Sequence, residues 1–264
     1  MTCSELSKGE SLHGTATVAT SFLLLEHRGR WGRDALDGTV LPDRSRATAE
    51  AFEGRVLLIR RPDRSAGDEA AFEADVTPEG GVLRAVDATG DPGEPVPGPL
   101  LLVCVHGRRD RCCARLGVPL YDALVPHVDP ERLWQSSHHG GHRFAANLLV
   151  LPHGIQLGRV EPQDAPEVAA LLAGGRIPLD YYRGRTLDPP RAQAADAELR
   201  RALALDRFAD VRPLRDDGRI VDVAVPGGVA RVRVDEEDGP LLPASCGAEL
   251  EPTVRLVAHV ESTP

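Results

Sequence analysis

A continuous apolar run at residues 100–105 leads into a short polar loop and then into a helical pattern, and this order constrains the fold more than any other feature of the chain. Leucines recur at helical spacing through residues 113–124, so the sequence predicts a strand, a loop and a helix. Cys104 lies at the end of the predicted strand, and Cys113 lies at the start of the predicted helix. This order is typical of an α/β domain.

The pattern downstream extends this unit to residue 188. Its elements are predicted as a short strand at 133–136, a helical segment at 143–149, a hairpin of strands 148–152 and 156–160, and a helix at 166–173. Asp164 and Glu167 have the spacing of a reciprocal capping pair at the start of that last helix. The order of elements, β-α-β-α-β-β-α, is typical of thioredoxin-like domains, and we assign residues 98–188 to one.

A proline- and glycine-rich stretch at residues 92–99 indicates a boundary with an N-terminal unit, residues 12–95. The predicted elements of that unit are strands at 18–26 and 55–61, a helix at 46–52, and a hairpin of strands 71–76 and 82–86. Residues 23–31 and 101–109 both run from an apolar strand into a loop with glycine and arginine, which indicates a degenerate duplication. The N-terminal unit is therefore expected to be α/β, and a degenerate thioredoxin-like unit is one interpretation of it.

A second break at residues 188–190 precedes the last segment, residues 190–264. Its pattern predicts an amphipathic helix at 192–208, a hairpin of strands 220–225 and 229–234, and a final strand at 254–260. We expect a small α+β appendage made of a helix and a β-hairpin segment. The fold class predicted for the whole chain is α/β.

Composition excludes several classes of function. The formal net charge of −9 opposes nucleic-acid binding, which needs a basic surface. The start of the sequence lacks the pattern of a secretion signal, and the longest apolar runs are too short to span a bilayer. Five cysteines, an odd number, do not indicate a disulfide framework. We therefore expect a cytoplasmic protein with reduced thiols and with neither nucleic acid nor membrane as a partner.

Two cysteines and two histidines in the middle of the chain form the main candidate site. Eight residues separate Cys104 from Cys113, and three separate His138 from His142. Two thiolates and two imidazoles are a four-ligand set for a metal ion or an iron–sulfur cluster. Two further thiols, Cys3 and Cys246, have no partner at ligand spacing, and they are expected to be buried or incidental.

Other interpretations of the four residues remain open. A structural zinc ion would accept the same ligands, although zinc cysteines usually have two to four residues between them rather than eight. A dithiol oxidoreductase would need a Cys-x-x-Cys motif, which the sequence lacks. A nucleophilic Cys–His pair would use only one residue of each type, so it explains the set less well.

Four segments of the sequence together carry a resemblance to a known protein family. They are Cys104-Val-His-Gly-Arg-Arg-Asp-Arg-Cys-Cys113-Ala, Ser136-Ser-His-His-Gly-Gly-His142-Arg-Phe-Ala, Leu149-Val-Leu-Pro-His-Gly154 and Phe22-Leu-Leu-Leu-Glu-His-Arg-Gly-Arg-Trp-Gly32. In these segments the chain resembles the sucrase/ferredoxin-like family, and the resemblance covers most of residues 15–190. Members of that family include thioredoxin-like [2Fe-2S] proteins with two cysteine and two histidine ligands.

The resemblance implies a [2Fe-2S] cluster in this chain. The implied ligands are Cys104, Cys113, His138 and His142. Cys112 is the alternative to Cys113, and the register of the preceding Arg109-Asp110 favours Cys113. His139 is an additional imidazole beside a ligand.

The expected function is therefore electron transfer or redox sensing, as a carrier more than an enzyme, and no catalytic residue is assigned. Two neutral imidazoles in place of thiolates are expected to raise the reduction potential and to link electron uptake to proton uptake. Arginines beside the ligands, Arg108, Arg109, Arg111 and Arg143, would dock an acidic donor or simply be solvated. The expected partners are a redox donor and a redox acceptor protein.

The alternative to this function is a zinc-binding or apo thioredoxin-like interaction module with no redox role. Sugar hydrolysis, which the first word of the family name suggests, is not expected. It would need two placed carboxylates and usually aromatic platforms, whereas only 4% of the residues are aromatic and no carboxylate pair lies in a recognisable context.

Overall fold

The computed structural model describes residues 1–62, 69–87 and 91–264, and both gaps fall within the predicted N-terminal unit. The helices are α1 (Cys3–Leu6), α2 (Asp43–Ala51), α3 (Arg111–Leu124), α4 (Ala165–Ala173) and α5 (Pro190–Leu203). The strands are β1 (Ser21–Glu26), β2 (Arg55–Arg60), β3 (Ala71–Asp75), β4 (Val82–Val86), β5 (Pro92–Pro95), β6 (Leu100–Cys104), β7 (Leu133–Ser136), β8 (Leu148–Leu151), β9 (Ile155–Leu157), β10 (Tyr182–Arg185), β11 (Arg212–Asp216), β12 (Ile220–Val225), β13 (Gly228–Pro243) and β14 (Leu250–Ser262).

Ten strands form one sheet in the order β10-β9-β8-β6-β7-β2-β1-β3-β4-β5. Strands β1 and β2 are parallel, and α2 connects them along the chain. In the same way α3 connects the parallel strands β6 and β7. In each half an antiparallel pair then extends the sheet outward from the first strand, β3 with β4 in one half and β8 with β9 in the other. The α/β class is confirmed, and the two halves have the connectivity that a duplication would give.

The halves meet where β2 pairs antiparallel with β7, through Ile59 opposite Ser136 and Arg60 opposite Gln135. One sheet therefore runs through both units that the sequence predicted. The division at residues 95–98 stays a prediction. The proline-rich stretch itself contains β5, an exposed edge strand paired with β4.

Side chains on alternate residues of the central strands bury both faces of this sheet. In β1, Leu23 and Leu25 pack on one face, while Phe22 and Leu24 pack on the other. Helix α3 covers the first face with Leu120 and other apolar residues spaced along one side of the helix. Burial on both faces explains why the sequence of β6 is continuously apolar rather than alternating.

The C-terminal segment forms a second, antiparallel sheet in the order β11-β12-β13-β14. Helix α5 packs on it, with Ala195 and Leu199 buried against Val221 and Val223. The predicted hairpin of residues 220–225 and 229–234 is β12 paired with β13, and the predicted final strand at 254–260 lies within β14. Strands β13 and β14 are longer than predicted, at 16 and 13 residues. Because these two strands are long, the turn between them reaches the first turn of α3, where Cys246 contacts Cys112.

Two local predictions were wrong in type or extent. The helical segment predicted at residues 143–149 is a 3-10 turn, His142–Phe144, followed by strand β8. Pairing of β8 with the central strand β6 outweighs the local helical pattern there. The helix predicted to end at residue 208 ends at Leu203, because Ala204 takes the left-handed conformation with φ 53°.

No helix in the described part of the chain combines the length and the apolar character that crossing a bilayer requires.

Candidate metal centre

The parallel pairing of β6 with β7 determines where the candidate site forms. Cys104, the last residue of β6, lies opposite Ser136, the last residue of β7. The carboxyl ends of two parallel strands meet at the same edge of a sheet, so the loop that carries His138 begins beside Cys104. Helix α3 starts at the same edge, where the Asp110 side chain accepts a hydrogen bond from the Cys112 amide and caps the helix. This places Cys113 in the first turn of α3.

Three of the four predicted residues converge on one point. The ligand atoms of Cys104, Cys113 and His138 all lie within 4.8 Å of one another. Nδ1 of His138 is 3.9 Å from Sγ of Cys104 and 3.7 Å from Sγ of Cys113. The fourth residue, His142, stacks its ring on that of His138 with 5.1 Å between centroids and an angle of 27° between planes.

His142 carries a buried nitrogen that nothing in the described structure satisfies. Its Nδ1 is buried and has no hydrogen-bond partner among the described residues. The nearest anionic oxygen, Oδ2 of Asp110, is 4.0 Å away. Burial lowers the pKa of His142, and the charge of His138 lowers it further. A neutral imidazole with a free nitrogen is the form that binds a metal.

The two thiols of the site share their protons unequally. Both side chains are buried. A hydrogen bond with the Cys113 thiol holds the pKa of Cys104 well below its usual range, although burial opposes this. The same hydrogen bond, together with burial, raises the pKa of Cys113. The pair therefore loses one proton readily and presents a thiolate to an incoming cation.

Cys112 and His139, the two residues that might be confused with ligands, lie elsewhere. Sγ of Cys112 contacts Sγ of Cys3 at 3.5 Å and Sγ of Cys246 at 3.3 Å, so it belongs to a different cluster. His139 is fully buried, with Nδ1 3.1 Å from Nε2 of Gln156. Burial lowers the pKa of His139 to about 3, so its ring is neutral. The geometry thus groups Cys113, and neither Cys112 nor His139, with Cys104 and His138.

His106 supports the site, and the sequence analysis gave it no role. Its Nδ1 accepts a hydrogen bond of 3.3 Å from the backbone amide of His138. Its Nε2 lies 2.7 Å from the Gly32 carbonyl and must therefore donate, which fixes the neutral tautomer. The ring of Trp31 meets His106 edge-on at 5.6 Å between centroids. The Trp31-Gly32 motif, far upstream in the sequence, thus holds the loop of His138.

Arg183 and Asn147 support the two glycines between the candidate histidines. Gly140 and Gly141 have φ values of 108° and 69°, and a Cβ at either position would collide with Thr17 or with Arg183. The buried Arg183 donates to the Gly140 carbonyl at 3.2 Å and to the Asn147 side chain at 2.8 Å. Asn147 in turn donates to the Gly141 carbonyl at 2.9 Å. This network sets the path of the chain from His138 to His142.

Two of the arginines near the site already have partners. Arg109 pairs with Asp34, and Arg143 forms a two-pronged pair with Glu10 at 2.6 and 2.7 Å. Arg55 donates to the carbonyl of His138 at 3.1 Å. Docking of an acidic donor on these arginines stays a prediction.

Fold and site together define an α/β protein with a buried cysteine–histidine donor set at the carboxyl edge of a parallel strand pair. The model of the family described as sucrase/ferredoxin-like matches residues 12–184. The chain belongs to that family, as its sequence motifs indicated.

Relatives of the chain include proteins named altered inheritance of mitochondria protein 32. The chain is 38% identical over 106 residues to altered inheritance of mitochondria protein 32 of Eremothecium gossypii, a match that covers 35% of this chain and 34% of that protein. It is 28% identical over 134 residues to the protein of the same name from Kluyveromyces lactis, covering 45% of this chain and 41% of that protein. The matched region thus covers between about a third and about two fifths of the length of these relatives.

Solved structures similar to the chain include a thioredoxin-like [2Fe-2S] ferredoxin from Aquifex aeolicus. It is 21% identical, with a TM-score of 0.31, and the match covers 36% of this chain and 97% of the ferredoxin. A serine variant of a ferredoxin of that name from the same organism matches with a TM-score of 0.29 and 20% identity, over 33% of this chain and 99% of the variant.

Proposed function

We propose that this chain binds a [2Fe-2S] cluster through Cys104, Cys113, His138 and His142 and transfers single electrons. The observation that carries the proposal is the convergence of two buried thiols and the His138 nitrogen within 4.8 Å. Membership in a family described as ferredoxin-like agrees with it.

The residues fit such a group. Cys104 and Cys113 supply the soft sulfur donors that iron–sulfur clusters take from proteins. The buried, unpartnered Nδ1 of His142 supports its role as the fourth ligand, because a buried nitrogen without a partner costs free energy unless a ligand satisfies it. When bound, a [2Fe-2S] cluster accepts and releases one electron.

The surroundings of the site give it a buried side and an open side. Cys104 and Cys113 are at most 1% exposed. His138 is only half-buried, and the His142 side chain is 13% exposed. A redox partner would therefore approach the histidine edge, where the distance to solvent is shortest. We propose that a donor and an acceptor protein use this edge in turn.

A cytoplasmic location is part of the proposal. All five cysteines are free. Thiols that must bind a metal or a cluster need a reducing compartment, which the cytosol provides.

The test is chemical analysis of the full chain purified without oxygen. We expect visible absorption together with two iron atoms and two acid-labile sulfides per chain. Cys113→Ser should lose most of the iron, whereas Cys112→Ser should keep it. His138→Ala should likewise lose iron, whereas His127→Ala, a change at an exposed histidine, should not. A colourless protein with a zinc ion that Cys104→Ser removes would establish the zinc-binding alternative instead.

A further inference from the structure

A second group of ligand-type side chains lies outside the candidate iron–sulfur site. It consists of Cys3 in α1, Asp110 and Cys112 at the start of α3, and Cys246 in the turn between β13 and β14. One ligand atom from each of the four lies within 4.8 Å of the others. We call this group the three-thiol cluster.

The three sulfur atoms form a nearly equilateral triangle. Sγ of Cys3 is 3.5 Å from Sγ of Cys112 and 3.5 Å from Sγ of Cys246, and the third side is 3.3 Å. The Asp110 carboxylate completes the group, with its oxygens 3.8 and 3.9 Å from Sγ of Cys3. These residues come from the beginning, the middle and the end of the chain, separated by 109 and 134 positions.

Ordinary packing and a disulfide both explain this arrangement poorly. Cysteines in a core behave as small apolar residues that pack against other apolar groups. In this cluster the three thiols instead contact one another and the Asp110 carboxylate, which also caps α3. A disulfide holds sulfur atoms about 2.05 Å apart and joins only two of three thiols. All three sides of the triangle are longer than that bond and similar to one another.

The triangle matches the demands of a tetrahedral cation. Zinc–sulfur bonds of about 2.3 Å at tetrahedral angles hold sulfur atoms about 3.8 Å apart, so the triangle needs to widen by only about 0.3 to 0.5 Å. A carboxylate oxygen is an accepted fourth ligand of zinc. An iron–sulfur cluster fits less well, because it spreads three cysteines over two or more iron atoms and cannot hold all three sulfur atoms in mutual contact.

The surroundings favour thiolates over thiols once a cation is present. The amide of Cys3 donates to Sγ of Cys246 at 3.4 Å, and the positively charged side chain of Arg111 lies near Cys246. Cys112 lies in the first turn of the 14-residue helix α3, where the helix dipole stabilises negative charge.

An entry path for the ion is visible. Cys112 lines a cavity of about 500 Å³ that also contacts Thr2 and Glu5 and opens to solvent. Cys246 is only partly buried, and its amide donates to Asp110 at 2.8 Å. The cluster is therefore closed enough to hold an ion and accessible enough to take one up.

We propose that Cys3, Cys112, Cys246 and Asp110 bind one zinc ion in a structural site. Such a site fastens α1 and the turn between β13 and β14 to the start of α3. The proposal does not depend on the iron–sulfur proposal, since the two sites use different cysteines.

The test measures zinc and iron together in the full chain purified without oxygen and without chelators. We expect about one zinc per chain in the wild type. Cys246→Ser should lower the zinc content at least tenfold and leave iron in place, while Cys104→Ser should lower iron and leave zinc in place. Zinc without iron in the wild type, lost on Cys246→Ser, would support this site and contradict the iron–sulfur proposal.

A second measurement covers the case in which Cys246→Ser fails to fold. Alkylation of the wild-type protein followed by mass spectrometry reports the state of each thiol without any substitution. Protection of Cys3, Cys112 and Cys246 that a zinc chelator abolishes supports the site. Zinc-free protein that binds no added Zn²⁺, or a disulfide between two of these cysteines, would overturn it.

Discussion

Arg200 of α5 is expected to hold the C-terminal helix in place through a buried ion pair. Its guanidinium is fully buried and donates to the Asp196 carboxylate at 3.1 and 3.2 Å. The hydroxyl of Tyr182 in β10 donates to the same carboxylate. The remaining donors of Arg200 reach the backbone carbonyls of Leu205, Arg207, Phe208 and Val211. One side chain thus joins α5, the large sheet and the chain leading to β11.

Arg200→Met keeps most of the apolar volume but leaves the Asp196 carboxylate buried without its cation. Removing one partner of a buried ion pair costs about 3 to 5 kcal/mol of unfolding free energy. For a chain of this size that loss corresponds to roughly 6 to 20 °C in melting temperature. The neighbouring Arg201 is the matched control, since its side chain is 68% exposed and pairs with Glu198 at the surface.

Arg201→Met should cost no more than about 1 kcal/mol, because solvent screens an exposed pair. Urea unfolding followed by circular dichroism compares the two variants with the wild type under identical conditions. Similar midpoints for Arg200→Met and Arg201→Met would refute the reasoning. A double variant, Arg200→Met with Asp196→Leu, should recover part of the loss because it removes the unpaired charge.

His106→Phe should lower the iron content of the purified protein, because the new ring cannot bond the His138 amide or the Gly32 carbonyl; unchanged iron would contradict this positioning role. Replacing both His138 and His142 by Cys should keep the cluster and lower its midpoint potential in voltammetry by roughly 250 mV or more, since thiolates add negative charge. Burial raises the pKa of Asp188 from 3.8 to about 6, so the folded chain is destabilised above pH 6 and the penalty disappears as the pH falls below 3.8. Asp188→Asn should therefore raise the free energy of unfolding in urea by up to about 3 kcal/mol at pH 8 and by less than about 1 kcal/mol at pH 4.

The strand–loop–helix unit that carries the candidate site could be predicted because its signals are local and strong. Strand β6 is buried on both faces and so reads as one apolar run, and α3 shows the helical spacing of its buried side. The parallel neighbour β7 was predicted at its observed bounds. Once those elements are known, Cys104 and His138 have to meet at one edge of the sheet.

Features set by distant parts of the chain were missed. Cys3 and Cys246, expected to lack partners, contact each other across 243 positions, a separation that no local spacing reveals. Asp164 does not cap α4 with its side chain but accepts a hydrogen bond from the hydroxyl of Tyr181. The reciprocal capping pair instead joins Thr2 and Glu5 in α1, beside the three-thiol cluster.

The ligand set of the proposed cluster is the central claim, and electron spin-echo modulation of the reduced protein tests it most directly. This measurement detects nitrogen nuclei bonded to the iron. The account predicts two strongly coupled histidine nitrogens in the wild type and one in either His138→Cys or His142→Cys. A reduced wild-type protein with an iron–sulfur signal but no coupled nitrogen would contradict it.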